Sequence, residues 1–123
     1  MNKVRRMTAI ALVLVAMPVS LATASSSLSG TYTTTVSNAG NLNGTYRITF
    51  SPGHFTLVAP FGITGHGTYS LSGSKITVHG PSSSCTAAGT YEVKQSHTSL
   101  TFKRIKDPCE RWKILTAHTL KKI

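Results

Sequence analysis

From residue 30 onward the chain alternates. Tyr46, Ile48 and Phe50 share one parity while Arg47 and Thr49 take the other. The same two-residue step recurs in Phe55/Leu57, Tyr69/Leu71, Ile76/Val78, Tyr91/Val93, Leu100/Phe102 and Trp112/Ile114. Successive side chains leave a strand on opposite sides, so each set marks a strand with one buried face. No segment carries a convincing helical period. Turn residues separate the runs: Asn38 to Asn43, Ser51-Pro52-Gly53, Ser72-Gly73-Ser74 and the long link Gly80 to Ala88. The pattern predicts eight strands, over 30–36, 44–50, 54–59, 67–72, 75–79, 89–95, 99–105 and 110–116. The first has the weakest inner face, with Tyr32, Thr34 and Val36.

A Gly-Thr-Tyr step opens four of these runs, at Gly30, Gly44, Gly67 and Gly89. The last three start 23 and 22 residues apart, and 21 residues beyond Tyr91 lies Trp112. A period of that length is one β-hairpin. A chain of hairpins must hide its edge strands, and closing into a barrel does so directly. The fold predicted is therefore all-β, an eight-stranded antiparallel up-and-down barrel. In such a meander the links 37–43, 60–66, 80–88 and 106–109 fall at one end and are mostly long. The links 51–53, 73–74 and 96–98 fall at the other and are short. One end is open and the other tight.

The first residues stand apart from this pattern. Lys3, Arg5 and Arg6 precede an uncharged, nearly all-apolar run from Met7 to Met17, and Ala22-Thr23-Ala24 offers small residues to a signal peptidase. Residues 1–24 read as a cleaved secretory signal, which makes the protein extracellular and leaves 25–123 as one domain. A span of the bilayer takes about 20 apolar residues, and Pro18, Ser20 and Thr23 interrupt this stretch early. The two cysteines, Cys85 and Cys109, lie in the exported part, in open-end links. An even count in a secreted chain favours one disulfide, and their spacing is compatible with closure across strand seven.

Gly89-Thr90-Tyr91, Leu100-Thr101-Phe102 and Asp107-Pro108-Cys109-Glu110-Arg111 resemble the C-terminal pattern of small secreted bacterial lipocalin-like domains of the calycin group, which includes lipocalins and avidins. The resemblance runs over the whole exported chain. It departs in having Tyr32 where those families usually carry a tryptophan, and in its short length. It implies a ligand-binding barrel, and it likens Arg111 to the arginine that closes the last strand of such barrels.

By parity Tyr46, Tyr69, Tyr91 and Trp112 all point inward from near the open end, with Phe61 in a link beside them. These five are the candidate ligand-binding residues, a mouth of flat faces with hydroxyls and an indole N–H to orient a small apolar or aromatic ligand. Ordinary packing competes with this reading, since an eight-stranded barrel is wide enough only to be filled or to hold one small ligand. Asp107 and Arg111 flank Cys109 and read as an ion pair pinning that link. His54, His66, His79, His97 and His118 show no zinc-type ligand spacing, so neither metal nor cofactor is expected. The exported part holds only three carboxylates and no nucleophile elbow, which argues against an enzyme.

Charge adds a second theme. The whole chain carries +10. Residues 25–123 hold ten Lys and Arg against Glu92, Asp107 and Glu110, and eight of the ten lie at or after Lys94. Lys94, Lys103, Lys106 and Lys113 are expected on outward or link positions of neighbouring strands, joined by Lys121 and Lys122. An anionic cell envelope fits this patch better than nucleic acid, whose binders expose aromatics among their bases. Expected partners are thus a small ligand and such a surface, with the chain monomeric. The rival function is a calycin-type protease inhibitor acting through a flexible tail, Ser25-Ser26-Ser27-Leu28-Ser29.

Overall fold

The computed structural model describes residues 27–82 and 84–123. The expected signal segment 1–24 and the start of the expected tail lie outside the described residues. The chain closes into a single barrel of eight antiparallel strands in sequential order. They are β1 (Gly30–Val36), β2 (Gly44–Ser51), β3 (His54–Val58), β4 (Thr64–Ser72), β5 (Lys75–His79), β6 (Gly89–Gln95), β7 (Ser99–Lys106) and β8 (Leu120–Lys122). One helical turn, α1 (Trp112–Leu115), lies between β7 and β8. β8 pairs with β7 at Leu100 and with β1 at Tyr32 and Thr33, and this closes the cylinder.

Seven strands fall where alternation puts them, and their inner faces are buried as expected, including Tyr32, Thr34 and Val36 of β1. The eighth does not. Residues 110–116 were expected to be the closing strand, but they form α1, and the closing strand is Leu120–Lys122. The cause is Arg111. Its guanidinium reaches Asp107, Gly80 and Ala87 over the open end, which holds the following turn there until the chain descends at residue 120. Lys121 and Lys122 accordingly belong to a strand and not to a tail.

β4 also begins earlier than expected, at Thr64. Gly65 reads as a link residue and Gly67 as the first residue of the strand, yet both lie inside it, paired with Leu57 and Phe55 in register. The Phe55 ring lies across Gly67, where a Cβ would overlap it, so the aromatic face supplies the cover that a glycine lacks in a strand. Phe61 then sits at the tip of the turn Pro60–Gly62.

Side chains fill the interior. Phe50 is central, with ring centroids 6.0 Å from Tyr32, 6.1 Å from Phe55, 5.9 Å from Tyr69 and 6.5 Å from Phe102. Tyr91 meets Phe102 edge-on at 6.0 Å. These are the separations at which offset and edge contacts are favourable. The cavity bounded by Ile48, Phe50, Phe55, Leu57 and Phe102 measures only ≈ 20 Å³, room for about one water.

The tight end is sealed by Leu28, which is 2 % exposed and joins the core cluster. Its N–H donates to the Tyr69 hydroxyl at 2.8 Å, and that hydroxyl donates in turn to the Ser51 carbonyl at 2.8 Å. Leu28 is therefore a plug and not part of a free tail. Leu28→Ala is expected to cost about 2–5 kcal/mol of unfolding free energy, as for other buried leucines, read by chemical denaturation. A loss below about 0.5 kcal/mol would place Leu28 outside the core.

Candidate ligand cleft at the open end

The open end is organised around one buried carboxylate. Asp107 is 2 % exposed, at the end of β7. Its Oδ2 accepts from Arg111 Nε at 2.6 Å and from the Tyr91 hydroxyl, and its Oδ1 accepts from the Cys109 N–H at 2.9 Å and from Arg111 Nη2 at 3.1 Å. Arg111 also donates to the Gly80 carbonyl at 2.8 Å and to the Ala87 carbonyl at 2.6 Å, so one side chain ties the 80–88 link to β7 and α1. A charge this deep persists only when it is paired and its remaining polar atoms are bonded. Gly89 makes the arrangement possible. A Cβ there would overlap the Asp107 carboxylate.

The Cys85–Cys109 disulfide ties the same link to the same segment, with Cα atoms 5.9 Å apart and a sequence separation of 24. Closing a loop of that length contributes about 3 kcal/mol on chain-entropy grounds. With Arg111 it fixes the walls of a cleft of ≈ 450 Å³. Tyr46, Leu57, Ala59 and Ile114 give it an apolar side. Gly80 to Ser82, Pro108 and Glu110 complete its lining.

The four tyrosines of the repeat are all buried but do not share one end. Tyr46 donates to the Leu42 carbonyl at 2.7 Å and Tyr91 to Asp107, both at the open end. Tyr32 donates to the Ser29 carbonyl at 3.4 Å and Tyr69 to Ser51, both at the tight end. The expectation that Tyr69 enters near the mouth is therefore corrected: the early start of β4 carries it toward the tight end. In each case a phenol closes the apolar interior and gives its hydroxyl to main chain or carboxylate.

Trp112 lies on α1 and not on a strand, half-buried against the core, with the Arg104 guanidinium 4.5 Å from its ring centre. Phe61 is fully exposed at its turn. Of the five candidate residues, Tyr46 lines the cleft and Tyr91 braces its floor through Asp107. Sequence reasoning missed Leu42, Ala59, Pro81 and Ile114. Pro81 carries no periodic signal; Ala59 and Ile114 share the parity of an inner strand face, which reads as core and not as cleft. Compared with protein-family models, curated proteins and solved structures, the chain finds no match.

Two predictions follow from the carboxylate. Gly89→Ala should displace Asp107 and lower the melting temperature by about 4–8 °C or more, the shift expected for each kcal/mol in a domain of this size. Stability should also fall at both extremes of pH. Burial alone would raise Asp107, but hydrogen bonds from Arg111, Tyr91 and Cys109 and the Arg111 charge hold it below its ordinary 3.8, so its contribution is complete above that pH and lost in stronger acid. Burial first, and then the bond to Asp107, raise Tyr91 well above its ordinary 10.0, so its contribution is complete below pH 10 and lost as alkali ionises the unfolded chain. Denaturation midpoints measured across pH should show both limbs, and Tyr91→Phe should shrink the alkaline one. An alkaline limb untouched by that change would contradict the assignment.

Proposed function

We propose that this chain is a small calycin-like binding protein of the cell exterior, non-enzymatic, which holds a small apolar or aromatic ligand on the open end of its barrel. The carrying observation is the ≈ 450 Å³ cleft at that end, a volume within the range of small-molecule sites. The filled interior favours a ligand seated above the barrel core and not within it. Tyr46, Leu57 and Ile114 supply the apolar and aromatic contacts, and the disulfide with Arg111 preorganises the walls. A disulfide also fits an oxidising compartment.

Binding is favoured over catalysis by how the reactive groups are used. Both cysteines are bonded to each other. Asp107 is committed to Arg111, Tyr91 and Cys109. Of the open-end carboxylates this leaves Glu110, exposed and 3.7 Å from Lys113 Nζ.

Native against denaturing mass spectrometry of the protein from its producer's culture fluid tests this reading. The expected result is a chain starting at Ser25, two hydrogens light, with an added mass that denaturation removes. Ala59→Trp, which fills the cleft from its wall, should lose that added mass while keeping the parent's melting temperature. An adduct retained by a folded Ala59→Trp protein would put the ligand elsewhere.

A further inference from the structure

Among the described residues the large apolar side chains left in water are Phe61, Ile63, Ile105 and Ile123. Three of them stand at the open end. Phe61 is 100 % and Ile63 67 % exposed on the β3–β4 turn, and Ile105 is 55 % exposed near the end of β7. β3–β4 and β7 lie on opposite sides of the mouth in the strand order.

Neither presentation is a loose end. Phe61 has φ +67, a left-handed backbone that a bulky side chain rarely adopts, and no burial of the ring offsets it. The turn is held by the Ala59 N–H donating to the Ile63 carbonyl at 2.7 Å. Across the mouth, the β6–β7 register shifts between Thr90 and Tyr91, leaving Ile105 without a partner in the ladder. Both devices aim an apolar group into water.

Bases accompany both. Arg47 pairs in register with Val58, at the foot of the Phe61 turn. Arg104 and Lys106 flank Ile105, and Lys113 lies on the adjacent α1. The exposed acid of this end is Glu110, beside Lys113. Apolar tips set apart on a positively charged rim do not form one patch for a shaped pocket. They suit a flat, fluid surface that accepts separate anchors and carries negative charge.

We propose that the open rim seats on an anionic lipid bilayer, with Phe61 and Ile63 entering the headgroup boundary and Arg47, Arg104, Lys106 and Lys113 facing lipid phosphates. This surface takes Lys106 and Lys113 from the row of bases expected on neighbouring strands and leaves out Lys94 and Lys103, where Glu92 stands opposite Lys103. It does not depend on whether the cleft carries a ligand.

Cosedimentation with phosphatidylcholine vesicles, with and without phosphatidylglycerol, tests the proposal. The purified protein should bind the anionic vesicles and weaken as salt is added. Phe61→Ser with Ile63→Ser should weaken binding by about tenfold or more, and Lys106→Ser by about fivefold. All variants share one N-terminus, so the differences read the rim alone. These side chains are exposed, and unchanged melting temperatures would certify the fold. Phe61→Trp should shift its emission to the blue on anionic vesicles and be quenched by brominated lipid. Undiminished binding by the folded Phe61→Ser, Ile63→Ser protein would reduce the interaction to diffuse charge and overturn the seat. So would absence of binding to either vesicle.

Discussion

The buried ion pair of Asp107 and Arg111 is the constraint on which the open end depends. Removing two charges from water costs several kcal/mol each, and their attraction offsets this only where geometry is good and the remaining donors and acceptors are used. Here the carboxylate receives four hydrogen bonds and the guanidinium spends two more on carbonyls of the 80–88 link. Several features of the mouth follow from that cost. Gly89 has no side chain because the carboxylate occupies its space. Tyr91 donates its hydroxyl into the pair, and the disulfide runs through Cys109, whose N–H is itself one of the four donors.

The same pair explains which parts of the fold alternation reveals. Seven strands were legible because each buries one face against a common interior, which period-two patterning records directly. The closing strand was not. Trp112 and Ile114 are spaced as a strand would space them, but one turn of helix with Arg111, Ile114 and Leu115 on its inner side fits the same letters. Only the contacts of Arg111 with Gly80 and Ala87, distant in sequence, decide between them. Gly65 concealed the start of β4 for a related reason: the Pro81 side chain that covers it belongs to a distant link.

The tyrosine repeat carries a similar lesson. Sequence parity places all four rings inward, and all four are buried. Height along the barrel is set by strand starts, which parity does not encode. Two hydroxyls therefore serve each end, and the repeat closes a filled interior instead of ringing an empty one. Open space lies outside the core, in a cleft whose lining comes mostly from links, and the exposed apolar groups Phe61 and Ile105 stand on the rim. Links have no periodic signal, which is why Pro81 is silent in the sequence while Tyr46 is not; Ala59 has the inner parity of Phe55 and Leu57 but its small side chain marks no site.

A double-mutant cycle on unfolding free energy, with Asp107→Asn and Arg111→Met, tests most directly whether one ion pair organises this end. Each single change leaves a buried partner uncompensated and should cost about 3–5 kcal/mol. The account predicts that the double variant is more stable than the sum of the two losses by about 2–3 kcal/mol. Losses that add to within about 0.5 kcal/mol would show the two residues acting independently, and would contradict it.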